Sequence, residues 1–585
     1  MILLLRAAST LIAAGLLWTT AAHAQLTVLN ANVPSAFAMT GFIQAATLKP
    51  GGAANAGGAL TVNNITMIVP DNSVVQLPAN NLRWAQLFDP NESAAVFDKA
   101  IPAQATPPIN HPATNALGQP ITGLALADVP HPPPAAGTFP GPFPSYEVTV
   151  IGNIDTAGTS GNPAGSYIVG LILPTSQELG NGGAGFITAI DYAKGRIEVN
   201  GTLNTLGTGT IVEINDPVGR YGFAHSPDPR FTADTDNPTV ISGNGYPMGV
   251  PKVAPPAIDP DRPLFNRPLN PAAGVNTPFR HDPFLQVGAP LMAFDMPAKA
   301  APNQAGDTTP DPWKQVPFMV GDFVAYAGTL YKIDPNAPVT PFNPSQPAGP
   351  NNRPMNQQFY VSAYSLEAAN VQVITASGPV AQVGPAYITM ERFKVGTGGA
   401  NLTVPPNPAL GTQGGVIPIA EPKLNAVFVG FVTDPTALVD IFAIDVDPAT
   451  GTQNPRLLGT VLPQAGLPAM GNRGRFRFDV GILGTLLPDT RQYMVRTRHG
   501  QVRLGNQVGL NQAPFCGLLA GEYKAPNFNY QFADPPKGFP LAPDIFNTFP
   551  FLTAGEGPQP PLNPPCPPPT KVTIGPLTPF PPSTP

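Results

Sequence analysis

Apolar and polar residues alternate with a period of two along many short segments of this chain. Phe186 to Tyr192 and Arg196 to Asn200 follow this pattern, and Lys194-Gly195 stands between them where a tight turn is expected. Alternation puts apolar side chains on one face of a β-strand and polar side chains on the other. The pattern therefore predicts short strands joined by hairpins.

Segments rich in proline separate the strand-rich blocks. Proline has no backbone N–H, so these segments interrupt helices and central strands alike. The predicted fold class is all-β: two small barrel- or sandwich-like β units plus a further sandwich, with long Pro-rich connections. The expected parts are a signal peptide at 1–24, a first β unit at 25–222 with a Pro-rich excursion at 100–143, a Pro-rich connection at 223–312, a second β unit at 313–405, a sandwich at 421–502, an aromatic and Pro-rich segment at 503–555, and a Pro-rich tail at 556–585.

Two short phrases in the first block resemble each other. Gly41-Phe42-Ile43-Gln44-Ala45 and Gly185-Phe186-Ile187-Thr188-Ala189 each precede a strand that ends near Val-Asn, at Val62-Asn63 and Val199-Asn200. We interpret them as an internal repeat. The second block also repeats, loosely, an earlier pair of predicted strands.

Apolar residues within the predicted strands define the expected core. We expect burial of Ile43, Ile65, Ile68, Ile168, Leu171, Ile187, Ile197, Phe323, Val324, Val429, Phe431, Ile444, Phe476, Phe478 and Val495.

The third block has the clearest strand pattern. Its features are the turn Asp447-Pro448-Ala449-Thr450-Gly451, the run Gly474-Arg475-Phe476-Arg477-Phe478, and then Leu487-Pro488-Asp489 and Tyr493-Met494-Val495. In this order they resemble bacterial immunoglobulin-like modules, over about 80 of the 585 residues. The resemblance implies a β-sandwich of the kind that serves as a spacer or adhesive unit in secreted and surface proteins, and it carries no catalytic motif. The earlier units resemble OB-like small barrels found in exported proteins of unknown function.

Composition limits the expected fold class, the cellular location and the binding partners of the protein. The chain has 79 Pro, 59 Gly and only 11% charged residues, so a mostly helical protein is excluded. Arg6, an apolar stretch and Ala22-His23-Ala24 have the form of a cleavable export signal. We expect a secreted protein, located outside the cell, on its surface or in the periplasm, without a membrane span. Cleavage changes the net charge from −6 to −7, so no nucleic-acid partner is expected.

Two cysteines remain in the expected mature chain, Cys516 and Cys566. In an oxidising compartment a single disulfide between them is the first expectation. Two free thiols are the alternative.

Motifs for catalysis are absent from the sequence. It has no His-Glu-x-x-His, no Gly-x-Ser-x-Gly and no phosphate-binding loop. A catalytic triad or a pair of acids assembled in space needs no such motif. An enzyme is therefore the less favoured class, and no catalytic residue is assigned.

Acidic and amide residues cluster at Asn215, Asp216, Asp228, Asp234, Asp236 and Asn237. Hard oxygen ligands suit Ca²⁺, which makes calcium the one candidate cofactor. The spacing does not fit an EF-hand. The alternative is that these side chains bond to the backbone in turns.

Arginines are concentrated between Arg473 and Arg503, where seven arginines accompany two acids. Period two puts Arg473, Arg475 and Arg477 on one face of a strand and the phenylalanines on the other. We expect Arg496 and Arg498 to extend this surface on an adjacent strand. It could hold an anionic polysaccharide or another surface component. The alternative is a solvated sheet face.

Taken together, the sequence favours a secreted, non-catalytic binding or structural protein of the cell surface or extracellular matrix. Its ligand could be an anionic glycan, and self-association is compatible with the pattern. A secreted polymer-degrading hydrolase, with acids on loops of the first β unit, and a subunit of a surface filament are the alternatives.

Overall fold

The computed structural model describes fifteen stretches of the chain. They are residues 35–88, 117–128, 146–174, 182–267, 292–375, 384–404, 415–419, 424–446, 453–466, 472–480, 492–503, 519–526, 530–531, 555–556 and 573–574, apart from short internal gaps at 52, 54, 80, 157, 159, 217–218, 235–236, 256, 335–336, 338, 350, 398–399, 499 and 501. These stretches are nearly all β, which confirms the predicted fold class. Their helical content is limited to short 3₁₀ turns at Trp84–Leu87, Leu126–Asp128, Pro229–Phe231, Leu264–Asn266 and Met355–Gln357.

The first sheet has seven strands, and five of them form a closed ring, which we call the first barrel. The strands of the sheet are β1 (Ser35–Leu48), β2 (Gly58–Val62), β3 (Ile65–Val69), β4 (Val74–Gln76), β5 (Asn81–Arg83), β6 (Glu147–Asp155) and β7 (Ser166–Pro174), in the order β3-β2-β1-β6-β7-β4-β5. Strand β3 also meets β7 in parallel, at Ile68 and Ile168. This contact closes the ring β1-β2-β3-β7-β6.

A second ring follows the same order, and we call it the second barrel. This part of the chain contains β8 (Gly183–Asp191), β9 (Arg196–Val199), β10 (Thr210–Ile214), β11 (Val240–Ser242), β12 (Met248–Gly249), β13 (Met292–Met296), β14 (Val316–Pro317), β15 (Phe323–Lys332), β16 (Phe359–Ala368) and β17 (Val371–Thr375). The sheet order is β10-β9-β8-β15-β16-β11, and β10 pairs in parallel with β16. Strands β8 to β10 come from the predicted first unit and strands β15 and β16 from the predicted second unit, but all five form one closed barrel.

The repeated phrases occupy equivalent places in the two barrels. Gly41 lies in β1 and Gly185 in β8, the first strand of each ring. A Cβ on Gly41 would lie 2.3 Å from Oδ1 of Asn63, and one on Gly185 would lie 1.9 Å from Oδ1 of Asn200. Both asparagines have positive φ, 50° and 59°. The repeated phrases therefore share a glycine that makes room for the asparagine side chain after the second strand of each barrel.

Parts of the segment between β10 and β15 pack into the second barrel, while others, such as residues 253–255, are exposed. The segment contributes Tyr221, Tyr246, Met248 and Val250 to the barrel's apolar core. Arg262 pairs with Asp259, and both side chains are almost completely buried. Because a buried charge is tolerated only when it is paired and hydrogen-bonded, such pairs hold the irregular chain in one arrangement.

Two four-stranded sheets make a sandwich after the barrels. The remaining strands are β18 (Ile388–Thr397), β19 (Ala400–Val404), β20 (Gly415–Ile419), β21 (Leu424–Val432), β22 (Val439–Val446), β23 (Gln453–Val461), β24 (Arg475–Val480), β25 (Gln492–Thr497), β26 (Val502–Arg503), β27 (Leu519–Ala520), β28 (Glu522–Pro526), β29 (Tyr530–Gln531), β30 (Gly555–Glu556) and β31 (Thr573–Ile574). The sheets are β24-β21-β18-β29 and β23-β22-β25-β28. Both contribute to one core, with Phe428 and Phe476 from one sheet and Ile441 and Val495 from the other.

Most of the expected core residues are buried. The exceptions are Ile65, Ile68, Phe323 and Phe478, which are half-buried. The domain boundaries remain predictions. The signal peptide at 1–24 lies outside the described residues.

Candidate functional site

The predicted alternation along the arginine-rich strand is present. Phe476 is buried in the sandwich core, while Arg475 and Arg477 lie on the opposite face of β24. Gly474 directly precedes this strand with φ of 83°, and a Cβ there would lie 2.1 Å from the carbonyl oxygen of Val432. A glycine at this position thus lets β24 enter the sheet beside β21.

Each of the five predicted arginines forms an ion pair with a carboxylate of the same chain. The N···O distances are 2.9 Å for Arg473–Asp295, 2.8 Å for Arg475–Glu391, 2.7 Å for Arg477–Asp479, 2.7 Å for Arg496–Glu522 and 3.0 Å for Arg498–Asp440. The positive charge that stands out in the sequence is therefore neutralised locally. An anionic ligand at these residues would have to replace carboxylates that already occupy them.

The five arginines do not form one continuous strip. Arg475 and Arg477 lie on β24, whereas Arg496 lies on β25 in the other sheet. The expectation that Arg496 and Arg498 lie on a strand adjacent to Arg477 is wrong. Periodicity shows which face of a strand a residue occupies, but it does not show which strands are neighbours.

Hydrogen bonding strengthens the more exposed pairs. Partial burial of Asp440 opposes its ionisation, but hydrogen bonds from Arg498 and Thr460 outweigh this and lower the pKa of Asp440. Hydrogen bonding and the charge of Asp479 raise the pKa of Arg477. Both pairs consist of a guanidinium facing a carboxylate, the geometry that also recognises acidic polymers.

The acidic cluster is used in turns. Asp216 accepts hydrogen bonds from the N–H groups of Gly219 and Tyr221, at 2.9 and 2.6 Å. Burial raises the pKa of Asp216 even though these bonds lower it. Asn215 donates to the carbonyl oxygens of Asp228 and Phe231.

The other members of this cluster have separate partners. Asp228 caps the 3₁₀ turn at Pro229–Phe231 and pairs with Arg230 at 2.7 Å. Asp234 accepts from Asn237. Asp236 lies outside the described residues. Within the described stretches, no group of three or more His, Cys, Asp or Glu side chains is placed to hold a metal, and calcium binding remains a prediction.

A cluster on the second barrel was missed by sequence reasoning. Glu213 of β10 forms an ion pair with Arg196 of β9, and its other oxygen lies 2.9 Å from Nε2 of His225. The same nitrogen lies 3.0 Å from the hydroxyl of Tyr360 on β16. His225 lies in a segment without periodic pattern, so no sequence signal pointed to it.

Proton transfer between a histidine, a carboxylate and a hydroxyl is chemically feasible in this cluster. However, Glu213 and Tyr360 are only 4% and 6% exposed, beneath His225. His225 and Asp216 also exchange backbone hydrogen bonds of 2.8 and 2.9 Å. These contacts fasten the chain after β10 back onto the barrel, which is a structural use of the cluster.

Comparison with known proteins finds no matching family model, no matching curated protein and no matching solved structure. In the part of the chain that the structure describes, no helix is long and apolar enough to cross a membrane. Cys516 and Cys566 lie outside the described residues, and their disulfide remains a prediction.

Proposed function

We propose that this chain is a secreted, non-catalytic binding or structural protein of the cell surface or extracellular matrix. One observation carries the proposal: each arginine of the candidate surface is held by a carboxylate of the chain. Charges committed to pairs in this way favour a rigid scaffold over a reactive centre, which needs groups poised to change partner or protonation state.

The proposal includes the identity of the modules. The barrels have the strand order expected of OB-like modules, a meander of three strands followed by two strands that return to close the ring, with strands three and five parallel. The sandwich is proposed to be immunoglobulin-like because two antiparallel sheets share one core. Fold analogy alone assigns no ligand.

An anionic polysaccharide is the proposed ligand of the arginine surface. Arg477 and Arg498 have the most exposed side chains of the five, at 55% and 50%. Exposed ion pairs are weak and are screened by salt, so a polymer carboxylate or sulfate can exchange with Asp479, which is 47% exposed, at little cost. Arg498 adds a second exposed guanidinium to the same surface.

The test is a panel of soluble and insoluble polysaccharides incubated with the purified full chain, with and without Ca²⁺. Retention of the protein without release of soluble sugar is the expected result. Retention on acidic polymers should fall in the variant Arg477→Ser/Arg498→Ser and persist in the control Arg456→Ser, which breaks an ion pair with Asp445 elsewhere on the sandwich.

Two outcomes would contradict the proposal. Release of soluble sugar that is abolished by substitution of a single acid would identify a hydrolase. Failure to bind any polymer, combined with ordered fibres in electron micrographs of purified material, would identify a filament subunit.

A further inference from the structure

The outer face of the first barrel differs in chemistry from the same face of the second. Strands β1, β2 and β3 contain no charged residue. The equivalent strands β8, β9 and β10 contain four, Asp191, Arg196, Glu198 and Glu213. The two barrels share one topology, so the fold does not account for this difference in the number of charged residues.

The second barrel covers this face with its own chain. Glu198 is only 4% exposed and accepts hydrogen bonds from the backbone N–H groups of Gly207, Thr208 and Gly209. Glu213 lies beneath His225, as described above. This face of the second barrel is therefore closed by protein groups.

Among the described residues, no comparable cover lies over the corresponding face of the first barrel. Leu60, Val62 and Met67 point into the core and are fully buried, whereas Thr66, from the same hairpin, is exposed. Phe42 of β1 is 48% exposed, which makes it one of the few large apolar side chains at the described surface. The face thus has an aromatic ring in a setting without charged residues on β1 to β3.

Hydroxyl and amide pairs lie on the same group of strands as this ring. Thr61 and Thr66 oxygens lie 2.9 Å apart across β2 and β3, and Thr40 and Thr149 oxygens lie 2.9 Å apart across β1 and β6. We call the outer side of β1–β3, together with the start of β6, the hydroxyl face. Each hydroxyl pair retains lone pairs for a third partner.

An amide pair continues the same surface. Gln44 donates to Asn64 at 3.0 Å and accepts from its backbone N–H at 2.6 Å. These contacts hold the Gln44 side chain in place before any ligand arrives, which lowers the entropic cost of binding.

One carboxylate lies beside this face. Glu147 of β6 is opposite Phe42 in the strand register, and it already has an interaction within the chain. Because β1, β2 and β3 carry no charged residue, these strands offer an acidic polymer no guanidinium to pair with.

We infer that the hydroxyl face binds a neutral polysaccharide chain, with a sugar ring stacked on Phe42 and neighbouring sugar hydroxyls bonded to the threonine and amide pairs. This inference rests on the proposed binding function and adds a ligand class and a second surface to it. Retention on a neutral polymer should be insensitive to ionic strength between about 0.1 M and about 1 M, because no ion pair is involved.

The experiment measures retention of the full chain on an insoluble, unsubstituted glucan and on an acidic polysaccharide. Phe42→Ala should weaken glucan binding about tenfold, the size expected for one lost ring contact and its buried area. Phe342→Ala is the matched control, because Phe342 is 43% exposed but lies on a loop of the second barrel. Thr61→Val/Thr66→Val removes two hydroxyls while keeping β-branched side chains, so it should weaken binding without unfolding the barrel.

Selective loss of glucan binding in the Phe42 and threonine variants supports the inference. Retention on the acidic polymer alone, lost in Arg477→Ser/Arg498→Ser, would refute it and leave the proposed function standing. A dimer that becomes monomeric in Phe42→Ala would also refute it, because a second copy would then occupy the face. Release of soluble sugar from the glucan would instead refute the proposed function.

Discussion

Replacing Arg267 by methionine tests whether buried ion pairs hold the irregular segment onto the second barrel. Arg267 and Asp322 have side chains that are 0% and 1% exposed. Two guanidinium nitrogens reach the two carboxylate oxygens at 2.7 and 2.8 Å, and one of them also donates to the carbonyl oxygen of Pro317. Methionine fills similar space but leaves Asp322 buried with an unpaired charge.

The expected cost is large because only one partner is removed. Breaking a buried pair in this way costs about 3–5 kcal/mol of unfolding free energy. With a urea slope of about 2–3 kcal/mol per molar, the unfolding midpoint should fall by roughly 1–2.5 M. The backbone N–H of Met319, which donates to Asp322 at 2.8 Å, supports the carboxylate only in part.

The assay is urea unfolding followed by fluorescence in a Trp18→Phe/Trp84→Phe background, so that Trp313 alone reports, from the second barrel. The double variant Arg267→Met/Asp322→Asn should recover much of the loss, because it removes the buried charge and keeps an acceptor for Met319. Arg456→Met, which breaks a partly exposed pair, should leave the midpoint nearly unchanged. The reasoning fails if the single variant unfolds at the wild-type midpoint, or if the double variant is no more stable than the single one.

Two further predictions concern local structure. Gly474→Ala should lower the melting temperature of the sandwich, because φ of 83° and a Cβ 2.1 Å from the Val432 carbonyl are incompatible with alanine; calorimetry showing no change would contradict this. Hydrogen bonds from the Thr309 side chain and backbone lower the pKa of Asp307 from 3.8 to about 2. Its contribution to stability should be complete above about pH 5 and be lost progressively as the pH falls through about 2. The stability difference between wild type and Asp307→Asn should therefore shrink over this range, and a constant difference would disprove the assignment.

Local patterns in the sequence predicted the strands and the repeat. Alternation located β8 and β9. The repeat was visible in the sequence because Gly41 and Gly185 stand at equivalent places, and the structure explains this: each glycine makes room for an asparagine side chain. Strand pairing was not predictable in the same way. Val212 of β10 pairs with Val361 of β16, and no local signal links residues that are so far apart in the chain.

The candidate surface was predicted by residue type and face, but its partners were not. Alternation correctly put Phe476 in the core and the flanking arginines outside. Their carboxylates come mostly from elsewhere, such as Asp295 from β13 and Glu391 from β18. A count of charge along the sequence therefore overstated the positive field at this surface, because it could not include neighbours brought together by folding.

The interrupted course of the second barrel has a consequence for how the chain folds. The first ring closes when Ile168 meets Ile68, so its strand pairing needs no residue beyond β7. The second ring needs β16, about 150 residues beyond β10. It cannot close until the intervening segment has been synthesised and has moved clear of the β10–β16 pairing. Long-range pairing of this kind is slow and exposes unpaired strand edges to aggregation. Because a chain is synthesised from its N-terminus, we expect the first barrel to form early and the second to be the slow step in folding.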